Sequence, residues 1–157
     1  MTVLGVISDT HGLLRPEAVK ALRGVDRILH AGDVGASEIL EELSQIAPVT
    51  AVRGNVDTGS WARKLSLCEV IEVEGLSIYM LHILDELDLK PEAAGFGVVI
   101  YGHSHVPRSE VKNGVLYFNP GSAGPRRFKL PVTVGKLIVK AKNVRAEIVI
   151  LTGAARP

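Results

Sequence analysis

Aromatic side chains are scarce: one Trp, three Tyr and three Phe in 157 residues. A base-stacking surface of the RRM or OB type therefore has little material to use. An excess of one charge is lacking too, since 18 Lys and Arg stand against 17 Asp and Glu for a net charge of +1. That balance argues against a polybasic nucleic-acid clamp or an acidic tail, so nucleic acid is not an expected partner. With a single cysteine, Cys68, there can be no internal disulfide, CxxC redox pair or Cys-rich zinc site. Cys68 is expected to be a buried thiol in a reducing compartment. The chain passes from Met1 straight into an apolar run with no basic leader, and no apolar stretch approaches the roughly 20 residues that span a bilayer. A soluble, cytoplasmic protein without membrane contact is the expectation. Neither a G-x-S-x-G elbow, a Ser/His/Asp triad nor a Walker A loop is visible.

What is present suffices for a core. Apolar residues make up 46% of the chain and charged ones 22%, which argues against disorder. The length fits a single domain over 1–157. Residues 2–8 form a β-branched strand closed by Asp9-Thr10-His11-Gly12. Pro16 suits the first turn of a helix over 16–23, ended by Gly24. A second strand over 27–31 is closed by Gly32-Asp33. Ser37 could cap a helix with Ile39, Leu40, Leu43 and Ile46 at helical spacing, which Pro48 stops. A third strand over 49–52 is closed by Gly54-Asn55. This alternation is that of a parallel α/β sheet with right-handed crossovers.

The second half reads as more antiparallel. Strands over 65–73 and 76–81 flank Glu74-Gly75, and a short helix over 84–90 is expected to end at Pro91. A strand over 97–101 is closed by Gly102-His103-Ser104-His105. Asn113-Gly114 signals a hairpin between 110–112 and 115–118, and strands near 132–139 and 143–150 make a final one.

Five strands thus end in residues able to bind a metal: Asp9 and His11, Asp33, Asn55, His82, and His103 with His105. In open α/β sheets the ligand site lies beyond the carboxyl ends of the strands, so these seven should gather at one sheet edge. Asp9/His11 and His103/His105 are i, i+2 pairs, which an extended backbone would point to one side. Glycines beside them permit sharp turns and close approach. A mixed Asp/His/Asn set suits Mn, Fe, Ni or Zn better than Ca or Mg. Seven ligands are too many for one tetrahedral zinc and fit two metals sharing a carboxylate, about 3.5–4 Å apart.

Ser8-Asp9-Thr10-His11-Gly12, Gly32-Asp33, Gly54-Asn55-Val56-Asp57, His82, Gly102-His103-Ser104-His105 and Asn119-Pro120-Gly121-Ser122 occur in the order of the calcineurin-like metallophosphoesterases. The chain resembles the small bacterial and archaeal phosphodiesterases of the YfcE type. The resemblance implies a four-layer α/β sandwich, two mixed β-sheets flanked by helices, with a dinuclear centre holding two divalent metal ions, manganese first among the candidates. Asp9, His11, Asp33 and His105 would hold one ion, and Asp33, Asn55, His82 and His103 the other, with Asp33 as bridge. The implied activity is hydrolysis of a small phosphate ester by metal-activated hydroxide, with Asp33, Asn55 and His103 closest to the chemistry. Relatives of this type often form dimers or tetramers, so a homodimer or homotetramer is expected. The same fold also serves as a non-catalytic scaffold of the Vps29 type, an alternative that the full ligand set opposes.

Two positions depart from the family. Ile83 follows His82 where glycine is usual, and a side chain there could tilt the loop. Val56 stands after Asn55, where larger phosphatases carry a histidine that assists the leaving group; valine cannot protonate anything. Around the motifs, His30 reads as a core or supporting histidine that could bond a ligand carboxylate. Asp57 either holds the Asn55 turn or supports the ligands. Arg53 and Arg126 read as solvated arginines within possible reach of a phosphate. Trp61 could line the mouth of the site or an oligomer interface, and Asn119–Ser122 a structural turn beside it.

Overall fold

The computed structural model describes residues 1–151, and its chain forms two five-stranded sheets. The first has the order β10-β9-β1-β2-β3, with β1 (Thr2–Ile7), β2 (Arg27–His30) and β3 (Val49–Ala51) parallel. Its β9 (Thr133–Lys140) and β10 (Asn143–Ile150) add as the antiparallel hairpin expected from sequence. The second sheet has the order β4-β5-β6-β8-β7, built from β4 (Cys68–Val73), β5 (Leu76–Leu81), β6 (Val98–Ile100), β7 (Arg108–Lys112) and β8 (Val115–Asn119). Strands β5, β6 and β8 run parallel; β4 and β7 are antiparallel edges.

Period-2 alternation sorts the strand side chains into layers. Leu4 and Val6 of β1 face Ile78 and Met80 of β5, Val98 and Ile100 of β6 and Phe118 of β8 in the core between the sheets. The opposite face of β1, through Ile7, packs under Ala18 and Leu22 of α1 (Pro16–Leu22) and Ile39 and Leu43 of α2 (Ser37–Ser44). On the outer face of the second sheet, Tyr79, Leu81, Val99 and Tyr101 are covered by Leu84, Leu87, Leu89 and Phe96. Helix, sheet, sheet and covering segment are the four layers that the resemblance implies.

The fourth layer departs from the sequence reading. In place of one helix over 84–90, a 3-10 turn covers Leu84–Glu86, and a four-residue helix α3 (Pro91–Ala94) starts at Pro91. Proline fits the first turn of a helix, where its missing N–H is not needed; Pro91 therefore begins a helix as Pro16 does. Strand β4 starts at Cys68, three residues later than expected, after a 3-10 turn at Ala62–Lys64. Cys68 is exposed, contrary to the expected buried thiol. It lies at the start of an edge strand, on the face shared with exposed Val70. Among the described residues no helix is long and apolar enough to cross a membrane.

Candidate metal centre

All seven predicted side chains follow the carboxyl ends of parallel strands, but of two sheets and not one. Asp9 and His11 follow β1, Asp33 follows β2 and Asn55 follows β3; His82 follows β5, and His103 and His105 follow β6. The site is a seam where the two sheets meet. Backbone bonds continue past the strands and lock the loops together: the amides of Asp9 and His11 donate to the carbonyls of Gly32 and Asp33, and that of Gly102 to His82.

The local backbone is unusual. Asp9, His11, Asp33, His103 and His105 all have positive φ, between 47° and 71°. This left-handed region is costly for residues with a side chain, less so for Asp and His, and it concentrates at functional sites. The i, i+2 pairs are therefore not presented by extended backbone, as the sequence reading assumed. Alternate left-handed residues turn the chain, and His103 and His105 aim at different partners.

Two groups result. Single ligand atoms of Asp9, His11 and His105 lie within 4.8 Å of one another, as do those of Asp33, His82 and His103. Asp9 Oδ1 is 3.6 Å from His11 Nε2 and 3.3 Å from His105 Nε2. Asp33 Oδ2 stands between the groups, 3.0 Å from His82 Nε2 and 3.7 Å from His11 Nε2. Asn55 Oδ1 approaches His103 Nδ1 at 3.2 Å.

Each carboxylate is held by one oxygen and bare at the other. Asp9 Oδ2 accepts from Ser8 Oγ (2.6 Å) and the His103 amide (3.2 Å), and Asp33 Oδ1 accepts from the Val56 amide (3.0 Å). Asp9 Oδ1, His11 Nε2 and His82 Nε2 are buried without a hydrogen bond. His82 is decisive for its chemistry. Its Nδ1 lies 2.7 Å from the Ala31 carbonyl and must be the donor there, so the lone pair of a neutral ring points from Nε2 at Asp33 Oδ2. Two acceptors 3.0 Å apart need a proton or a metal cation between or beside them. The residues fit a divalent ion.

Without an ion, protons answer the same field. Burial works against the Asp9 carboxylate, but His105, His11 and Ser8 together hold its pKa well below the usual range. Asp33 is likewise lowered: burial opposes ionisation, while His82 and the Val56 N–H favour it. His11 is raised by Asp9 against its own burial. His82 is raised although burial opposes its charge, because Asp33 and Asp9 face it.

The surrounding residues resolve the open readings. His30 is fully buried but bonds no carboxylate, contrary to one expectation. Its Nδ1 accepts from the Gly32 amide (3.1 Å), so Nε2 carries the proton and donates to Thr10 Oγ1 (3.0 Å). Burial pushes its pKa down to about 4, keeping it neutral. Asp57 takes both of its predicted roles. It accepts from the amide of Gly54 in its own turn (2.9 Å) and from Val34 and Gly35 behind Asp33 (3.1 and 2.9 Å). Asn119 donates to the Gly102 carbonyl and to Ser104 Oγ, and Ser122 Oγ donates to the Asp9 carbonyl. The turn braces both histidine loops. Trp61 packs against the helix-side core. Ile83 does not pull His82 away from Asp33 and instead borders two cavities. Close packing replaces flexibility at Gly54, whose missing Cβ would overlap the backbone and carboxylate of Asp33. Arg127, beside His11 and His105, was not singled out from sequence; the run Arg126-Arg127-Phe128-Lys129 was the available signal.

The profile of the calcineurin-like phosphoesterase superfamily domain matches residues 1–142. The chain belongs to that superfamily. Among its relatives, a probable metallophosphoesterase of Methanocaldococcus jannaschii is 37% identical over 89% of this chain and 77% of its own length. The phosphodiesterase YfcE of Escherichia coli K12 is 28% identical, over 87% of this chain and 88% of its own. The solved structure of Vps29 from Chaetomium thermophilum superposes with a TM-score of 0.77 at 20% identity, covering 96% of this phosphoesterase domain and 97% of Vps29. At that identity the likeness is one of fold, and the fold alone does not establish catalysis.

Proposed function

We propose that this chain is a phosphodiesterase that hydrolyses a small phosphate ester at a dinuclear metal centre. The observation that carries this reading is Asp33 Oδ2, without a hydrogen-bond donor among the described residues and 3.0 Å from His82 Nε2 and 3.7 Å from His11 Nε2, two ring nitrogens themselves buried without a hydrogen bond. Asp9, His11, Asp33 and His105 would hold one divalent ion, and Asp33, Asn55, His82 and His103 the other. Such ions lower the pKa of a bound water toward neutrality and neutralise charge on the phosphoryl group. The mixed imidazole and oxygen donors suit iron, nickel, zinc or manganese, and manganese is placed first on the family resemblance.

The protein's own part is orientation. Asp9 and His105 are buried and can only hold. His103 and Asn55 are exposed, so their polar atoms can also meet a phosphate oxygen. Val56 contributes its amide to Asp33 and an exposed apolar side chain to solvent, offering no proton to a departing alkoxide. Substrates with a good leaving group, or with a proton source of their own, are favoured.

The test combines metal analysis with turnover of bis-p-nitrophenyl phosphate with added Mn²⁺ and with EDTA. About two equivalents of metal and EDTA-sensitive turnover are expected. Substoichiometric metal with no metal-dependent turnover would replace this reading with that of a non-catalytic scaffold.

A further inference from the structure

The two flanks of the centre differ in charge. Beyond Asn55 and His82 lies a cavity of about 470 Å³ lined by Leu67 and Leu81 and by Arg53 and the carboxylates Glu86 and Asp88. On the far side, His11 and His105 open into a concavity of about 330 Å³ bounded by Pro125, Arg126 and Arg127. Nothing acidic occurs between Pro125 and Leu130. The turn that carries Arg127 is built: Arg126 Nε donates to the Leu130 carbonyl (3.2 Å) and the Leu130 amide to the Arg127 carbonyl (3.1 Å). Its base is closed by a bridge between Ser122 and Val132.

Building on the phosphodiesterase reading, we propose that Arg127 is a specificity residue and that the substrates are phosphodiesters with one anionic arm. That arm lies over His11 and His105, its carboxylate or terminal phosphate against the Arg127 guanidinium, while the uncharged arm enters the cavity beyond Asn55, where Glu86 and Asp88 would repel an anion. A phosphodiester centred on the metals must send its two ester oxygens in different directions. Only one of the two directions meets a basic surface free of carboxylates. Guanidinium is suited to such a group because it remains charged and offers a planar fork of donors.

The experiment uses the metal-loaded full chain. Calorimetry would measure binding of 2-carboxyethylphosphonate and of ethylphosphonate, which differ only in the carboxylate. Turnover would be followed with bis-p-nitrophenyl phosphate and with a p-nitrophenyl diester whose second arm ends in a carboxylate. The wild type should prefer the carboxylate-bearing member of each pair. Arg127→Ala should lower that preference about tenfold, and Arg127→Glu should reverse it. Lys129→Ala, which changes the same net charge in the same turn, should alter the preference less than about twofold. A preference unchanged in Arg127→Ala, or lost equally in Lys129→Ala, overturns the proposal while turnover of bis-p-nitrophenyl phosphate still upholds the phosphodiesterase reading. Absence of that turnover in the wild type overturns both.

Discussion

The Asp9–His11–His105 group and the Asp33–His82–His103 group use the same kinds of atom in different surroundings. In the first, Asp9 and His105 are buried and His11 is the accessible member, beneath a basic turn. In the second, Asp33 and His82 are buried, whereas His103 stands exposed beside Asn55 and lines a cavity with Ile83, Tyr101 and Arg108. Each group thus has two buried members and one more exposed, and the exposed members line different cavities. Matching coordination chemistry does not make the two halves equivalent toward a substrate.

The sharpest way to break the pairing is Asp33→Asn, because Asp33 Oδ2 lies 3.0 Å from His82 Nε2 of its own group and 3.7 Å from His11 Nε2 of the other. Turnover should fall at least ~1,000-fold, equivalent to about 4 kcal/mol, with circular dichroism and the cooperative melt retained. Wild-type turnover in this variant would show that Asp33 does not bridge. His30 supports both groups from behind, joining Thr10 of the first to Gly32 of the second. Unfolded, it takes up a proton below pH ~6.5; folded, it does so only below about 4. Between those values the unfolded chain binds more protons, so stability falls as pH falls, by about 3 kcal/mol from this residue. Urea titrations of the metal-free protein at pH 7 and pH 4 should show that much less acid loss in His30→Gln than in the wild type. An equal loss in both would mean that His30 is not held neutral. The finest probe acts on the Asp33 carboxylate through its neighbour. Gly54→Ala adds a Cβ that would meet the backbone and carboxylate of Asp33, so turnover should fall by roughly 30-fold, about 2 kcal/mol, with metal content lowered alongside. Unchanged turnover and metal content would show that the Asp33 carboxylate does not depend on that packing.

The positions of the seven side chains were legible because strand length and period-2 alternation mark where each strand ends, and each motif falls just past such an end. Their division between two sheets was not visible in local pattern, which put all seven at one sheet edge; the family resemblance implied two sheets without assigning the motifs between them. Pairing partners are decided by packing far along the chain, as between β1 and β9. Left-handed backbone at Asp9 or His105 leaves no trace in residue type, since Asp and His occur as readily in ordinary turns. Pro16 and Pro91 show how one signal can be read in two ways. Proline both opens helices and stops them, and the sequence around Pro91 did not say which. Cys68 was misplaced because burial of a thiol is a property of the type, while its exposure is a property of an edge strand. Near-zero net charge concealed Arg127, since a global sum says nothing about one turn.

That the candidate ligands come from both sheets ties metal occupancy to tertiary assembly. The first sheet supplies Asp9, His11, Asp33 and Asn55, the second His82, His103 and His105. Neither holds a complete set, so an ion can be fully coordinated only after the inter-sheet core has closed. Occupancy then adds to native stability in proportion to the logarithm of free ion concentration, because the open chain offers no equivalent site. For this architecture the metal supply of the surroundings becomes a variable of folding as much as of chemistry.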